Sequence, residues 1–194
     1  MKELSLNILD ITENSVKAKA SLTEIVIREE KNLLTLTIRD NGVGMKKDFL
    51  KNVTDPFTTT RTTRKVGMGL PLLKLEAEQT GGSMEIRSTS VADDPVNHGT
   101  EVKAVFYKDH IDFTPLGDVV STIVTLIQGH PDTDFLFLHE TERGSVSLDT
   151  REIRKVLGNE VPLSSYEVIS WIEESLRSEY DDLKRFNKSE EDET

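Results

Sequence analysis

Early in the chain the hydrophobic pattern changes period. Leu4, Ile8, Ile11, Ser15 and Ala18, small or apolar, fall at three- and four-residue steps, with Asn7, Asp10, Asn14 and Lys17 at the same steps on another face. That predicts an amphipathic helix over 7–20 with a polar stripe. Over 24–28 and 33–39 the period shortens to two on either side of Lys31-Asn32, the pattern of a two-stranded hairpin. A short helix is expected over 46–53, ended by Asp55-Pro56-Phe57, and a longer one over 70–79, stopped by Gly81-Gly82. Alternation over 83–88 and 101–107, around a polar loop at 92–98, supplies two more strands. These elements make a four-stranded sheet with helices on one face, an α+β fold of two-layer α/β sandwich type.

The second part of the chain reads as a small α/β appendage. A helix is expected over 117–128, a short hairpin over 135–139 and 145–148, a helix over 149–157 with a capping-box pattern ending at Gly158, and a long helix over 164–186. Ser164 with Glu167 has the spacing of a further capping box. Ile169, Ile172, Leu176, Tyr180 and Leu183 form a stripe that predicts packing on its own domain. Residues 188–194 are expected to be a disordered acidic tail. His130 and His139 are read as structural histidines rather than phosphoacceptors.

Charge divides the chain where the pattern does. The net charge is −11, yet residues 1–109 carry 16 acidic and 16 basic side chains, and 110–194 carry 19 acidic and 8 basic. The expected division is a domain over 1–109, an acidic module over 110–187 and a tail over 188–194. The excess of acid argues against a broad nucleic-acid footprint. No apolar run approaches the roughly 20 residues of a membrane span, and the first ten residues lack the basic start of a signal peptide, so a soluble cytoplasmic protein is expected. With no cysteine in the chain, disulfides, thiolate metal sites and cysteine nucleophiles are excluded.

Candidate chemistry gathers at three glycine-bearing stretches. Asp40-Asn41-Gly42-Val43-Gly44 leaves a predicted strand, and a carboxylate there, beside backbone with no Cβ in the way, can accept a hydrogen from an exocyclic amine. The stretch 58–65 carries Arg61, Arg64 and Lys65 without an acid and runs into Gly67-Met68-Gly69 before a helix start. Unpaired N–H groups and the helix dipole make such a start a place for phosphate. Gly99-Thr100 opens the last strand of the sheet.

Taken in order over about residues 3–107, these motifs resemble the nucleotide-binding domain shared by gyrase, the heat-shock chaperones, histidine kinases and MutL, the Bergerat or GHKL fold. The resemblance implies ATP or ADP as ligand, with Mg²⁺ held by Asn14 against the phosphates. It implies that Asp40 accepts the adenine amino hydrogen, with Gly42 and Gly44 giving clearance and Thr100 supporting the aspartate through water. Lys17 and Arg61 match basic positions near phosphate, the backbone of Gly67, Met68, Gly69 and Leu70 would cradle the phosphates, and Arg64 and Lys65 belong to the covering lid. Hydrolytic members place a glutamate general base where this chain has Asp10, one methylene shorter. Glu13 matches an acidic position of the MutL-like branch and points roughly 100° away around the helix, so it is the weaker base candidate.

The chain begins almost at its nucleotide-binding helix, and the lid stretch between Phe57 and Gly67 is short. Both features point toward stand-alone kinase-like domains of the anti-sigma type, which phosphorylate a partner protein. The expected function is a Mg-ATP-dependent regulator or kinase of a protein partner engaged through residues 110–187. The alternatives are an ATP hydrolase that switches as a homodimer and a nucleotide-sensing module without turnover.

Overall fold

The computed structural model describes residues 3–54, 68–158 and 161–191. The lid stretch, with Asp55-Pro56-Phe57, Arg61, Arg64, Lys65 and Gly67, lies outside them. The elements follow as α1 (Leu4–Lys17), β1 (Leu22–Glu30), β2 (Leu33–Asp40), α2 (Lys47–Leu50), α3 (Gly69–Gln79), β3 (Ser83–Thr89) and β4 (Gly99–Tyr107). After them come α4 (Val119–Gly129), β5 (Asp134–Thr141), β6 (Gly144–Asp149), α5 (Thr150–Leu157) and α6 (Tyr166–Glu191).

The predicted hairpin is β1 and β2, paired antiparallel from Thr23 opposite Asp40 to Glu30 opposite Leu33, with Lys31 turning the chain at φ 52°. Helix α2 is shorter than the 46–53 expected. None of its residues is buried, so packing stabilises no further turn.

The sheet has six strands, not four, in the order β3-β4-β2-β1-β5-β6. Neighbours are antiparallel except β1 and β5, which run parallel from Leu22 opposite Asp134 to Arg28 opposite Glu140. The hairpin of the acidic second part thus continues the sheet of the first, and the sheet crosses residue 110 without a break.

One buried cluster spans both parts. Ile8 and Ile11 of α1, Ile25 and Ile27 of β1, Leu36 and Ile38 of β2 and Phe106 of β4 share it with Ile123 of α4, Phe137 of β5 and Ile172 and Leu176 of α6. The stripe on α6 therefore packs inward as expected, but onto the common core. Ser164 does not start that helix. The first helical residue is Tyr166, and the buried Ser165 hydroxyl has no hydrogen-bond partner among the described residues. Upstream, Asp118 caps α4 by accepting from the Ser121 N–H at 2.9 Å, and Asp149 caps α5 by accepting from the Arg151 N–H at 2.9 Å. At its other end α6 continues to Glu191.

Two polar contacts lock the layers. Asn7, assigned to the polar stripe, is fully buried, and its amide donates to the Glu76 carboxylate of α3. At the far end of the sheet His139 is 4% exposed and donates through Nε2 to Glu29 at 3.0 Å, while its Nδ1 is hydrogen-bonded with the Tyr180 hydroxyl at 2.8 Å. Lys108 adds a 2.8 Å contact to the other Glu29 oxygen.

The bond from His139, opposed by burial and helped by Lys108, holds Glu29 down to about 2. Its contribution to stability is therefore present above the ordinary value of 4.5 and lost as pH falls from there toward 2. Glu29→Gln is expected to lower stability at neutral pH by on the order of 1–3 kcal/mol. It should also flatten the acid limb of a denaturation-midpoint profile. An acid limb identical to the parent's would remove Glu29 as its origin.

Candidate nucleotide site

The Asp40 side chain ends β2 on the same sheet face as Ile38 and points at α1. One carboxylate oxygen accepts from the Ser15 hydroxyl at 2.8 Å, and the other accepts from the Gly42 N–H at 2.8 Å. Each oxygen has lone-pair capacity left after these bonds. In the β2–β4 ladder Asp40 lies opposite Thr100. The Thr100 hydroxyl is 2.9 Å from the Ser88 hydroxyl, which donates to the Gly99 carbonyl and accepts from the Met45 N–H at 2.8 Å. A cavity of about 540 Å³ touches Asp40, Ser88 and Thr100 at the sheet end, but Glu24, Arg39, Arg87 and Glu101 of the opposite sheet face line it with Asn97 and His98, and no residue of α1 or α3 does, so it is not the space between Asp40 and α1.

The turn after Asp40 is pinned on every side. Asn41 Oδ1 accepts from the Ser21 and Leu22 N–H groups at 2.9 and 3.0 Å, the Val43 N–H donates to the Ala18 carbonyl, and Val91 donates to the Val43 carbonyl. His98 Nδ1 lies 2.6 Å from the Gly42 carbonyl, which can only accept, so the ring carries its hydrogen on Nδ1. The two glycines have separate reasons. A Cβ on Gly42 would sit 2.8 Å from the Ala18 carbonyl oxygen, so the turn can lie this close to α1 only without a side chain. Gly44 has φ +63°, and a Cβ there would fall 1.9 Å from the Thr89 carbonyl oxygen.

Asp10 and Asn14 both lie exposed on α1. Gly69, the first residue of α3, would bring a Cβ within 3.3 Å of the Asp10 Cβ, so the start of α3 abuts this face of α1. Among the described residues no side chain caps α3, whose preceding residue is the 46%-exposed Met68. A helix start of this kind leaves its first N–H groups for solvent or an anion.

Other predicted residues go elsewhere. Glu13 faces the second part of the chain and accepts from His130 Nε2 at 2.6 Å, with Lys17 3.7 Å from its other oxygen. The His130 bond, opposed by burial and joined by the two neighbouring charges, holds its pKa below the ordinary value of 4.5, which makes it a weaker base. Among the described residues no group of three or more His, Cys, Asp or Glu could hold a metal ion. A metal at Asn14 would draw its other oxygens from phosphate and water, a donor set that suits Mg²⁺.

Sequence reasoning missed Ser15, Ser88 and His98. Ser15 sat at an apolar helical step, and a hydroxyl at such a step is the signal that could have found it. His98 directly precedes the Gly99-Thr100 motif, in a polar loop whose pattern carries no sign of its contact with Gly42.

Comparison with known proteins gives the family and the fold. Residues 2–110 match the model of the histidine kinase-, DNA gyrase B- and HSP90-like ATPases, and the chain belongs to that family. Its curated relatives are sensor proteins. It is 28% identical over 107 residues to a putative sensor protein of Shewanella frigidimarina, covering 55% of this chain and 15% of that one. It is 36% identical over 63 residues to the C4-dicarboxylate transport sensor protein DctB of Pseudomonas aeruginosa, covering 32% of this chain and 10% of the relative. The chain thus spans a small fraction of the length of these relatives.

Two solved structures share the fold over more of the chain. The N-terminal domain of a DNA repair protein aligns with TM-score 0.58 and 15% identity, covering 82% of this chain and 58% of its own. The Aquifex aeolicus MutL ATPase domain complexed with ADP aligns with TM-score 0.51 and 16% identity, covering 81% and 69%. Such coverage exceeds what residues 2–110 can supply, so the likeness of fold extends beyond the family match.

The packing around Gly44 yields a test. Gly44→Ala is expected to cost at least about 2 kcal/mol of stability, from the left-handed backbone and the clash with Thr89. Chemical denaturation would read it, and an unchanged midpoint would mean that the turn is free to move away from Thr89.

Proposed function

We propose that the chain binds ATP and ADP with Mg²⁺ at this site and uses the nucleotide state to regulate or phosphorylate a protein partner. The observation that carries the reading is Asp40, a carboxylate fixed by Ser15 and the Gly42 N–H with acceptor capacity left on both oxygens. A carboxylate so placed selects a ligand that donates, as the adenine amino group does. Thr100 stands opposite it, Asn14 would hold the metal, and the uncapped start of α3 from Met68 to Leu70 would receive phosphate. Lys17, Arg61, Arg64, Lys65 and Gly67 complete the proposed set.

Residues 110–187 are proposed as the partner-binding module, since their acidic excess lies outside the family motifs. The compartment proposed is the cytoplasm. Among the described residues no helix is long and apolar enough to cross a membrane. ATP hydrolysis is the second reading, and the start of α3 beside Asp10 favours Asp10 over Glu13 as its base. A homodimer closed by ATP belongs to that reading.

Calorimetry with ADP in Mg²⁺ tests the binding step. Asp40→Asn replaces acceptor capacity with a donor facing a donor, and should weaken ADP by about 10–100-fold, the worth of a hydrogen bond to a charged group. ADP binding that survives this substitution would remove Asp40 from the site. With γ-labelled ATP and cell extract, label on protein supports phosphotransfer. Free phosphate that disappears in Asp10→Asn supports hydrolysis.

A further inference from the structure

Helix α6 turns its apolar stripe inward through Val168, Ile169, Ile172 and Leu176, all buried. Trp171, next to Ile172 in the chain, does not go in with them. It is the one tryptophan of the protein and stands 56% exposed, although aromatic side chains bring the largest apolar areas to a core. On the outer side of the helix its neighbours are Glu167 one turn before, Glu174 and Ser175 one turn after, and Ser178 a further turn on. The serines are short, so the long side chains that flank the ring there are the two glutamates.

Both glutamates are exposed, and among the described residues neither makes a hydrogen bond or an ion pair. Among the described side chains the cations of α6 itself are engaged elsewhere. Arg177 meets Glu173 at 2.8 Å and Asp118 at 3.3 Å, Lys184 meets Asp181 at 3.5 Å, and Arg185 meets Asp182 at 3.5 Å. Glu167, Trp171 and Glu174 thus form an aromatic face between two uncompensated carboxylates, in a part of the chain that holds 19 acids against 8 bases. Such a face is complementary to a cation that carries its own apolar stem. The cation lies over the indole, and its N–H groups reach carboxylate oxygens on either side. The same two carboxylates repel the phosphates of a nucleic acid or an anionic membrane.

We propose that the stripe Glu167, Trp171 and Glu174 is the surface by which residues 110–187 take a protein partner, and that it takes a basic segment presenting an arginine to the Trp171 ring. The inference rests on the reading of these residues as the partner-binding module and adds to it the surface and its chemistry. Arginine fits best, because its planar guanidinium stacks on an aromatic face while its donors stay free at the edge for both carboxylates.

The test uses the whole chain with two short peptides, one alternating arginine with serine and the other glutamate with serine, read by Trp171 fluorescence and by amide shifts in two-dimensional NMR. The arginine peptide is expected to change the fluorescence and to shift amides between Glu167 and Ser178, and the glutamate peptide to do neither. Trp171→Ala, followed by NMR, should weaken the arginine peptide at least about tenfold. Glu167→Gln with Glu174→Gln should weaken it about fivefold, whereas Asp181→Asn with Asp182→Asn, the same charge removed from the same helix, should leave it unchanged. All five positions are exposed, and a denaturation midpoint equal to the parent's checks that each variant is folded. The proposal is overturned if the arginine peptide leaves those amides unmoved, if the two double variants weaken it equally, if Trp171→Ala binds as the parent does, or if the chain self-associates through Trp171 and the peptide does not compete. ADP titrated into the same samples keeps the two readings apart. Absent peptide binding beside intact ADP binding removes this surface alone, and the converse removes the nucleotide site alone.

Discussion

The hydrogen bond from Ser15 to Asp40 joins the last turns of α1 to the last residue of β2, and the site is built outward from it. A carboxylate at a strand end would otherwise swing with its loop. Here one oxygen is tied to a helix and the other to the backbone two residues on, so its direction is set before any ligand arrives. The glycine turn, the Ser88–Thr100 pair and His98 then close around a group already in place. Because α1 also carries Asp10 and Asn14, one rigid helix fixes the spacing between the proposed adenine and phosphate ends of the site.

That helix is braced from two sides by residues far apart in the chain. Asn7 reaches Glu76 of α3 through a buried contact, and α4 of the second part lies along the opposite flank. Thr122 donates to the Ser5 carbonyl near the start of α1, and His130 meets Glu13 near its end. The acidic part of the chain therefore lies along α1 from its first turn to its last. A movement of α4 would bear on α1 through these contacts, the route that the proposed regulation by a partner would need.

Much of this was legible in the sequence because it is local. Residues 7–20, the hairpin around Lys31-Asn32 and the strands leading into and out of Gly99-Thr100 announce themselves by period and by turn residues, and Asp40 stood out by its glycines. The parallel pairing of β1 with β5 did not. Leu22 meets Asp134 across more than a hundred residues with no turn between them to announce the register. That is why the six strands were expected as a four-stranded sheet and a separate hairpin, where one sheet holds them all. Asn7 and Ser15 were misread for a related reason. Helical periodicity assigns a residue to a face but does not say which polar group will be buried opposite it.

The parallel ladder also sets an order of events during synthesis. Until residues 134–141 have left the ribosome, β1 has a partner on one side only, and its other edge offers a seven-residue row of unpaired N–H and C=O groups flanked by Ile25 and Ile27. The nascent first part thus carries an open, apolar strand edge through the time it takes to make α4. At synthesis rates of about 5–20 residues per second that interval lasts seconds. Completing the sheet is a task for the second part of the chain, whatever else it binds, and a shortened chain that kept every family motif would still expose that edge to its neighbours.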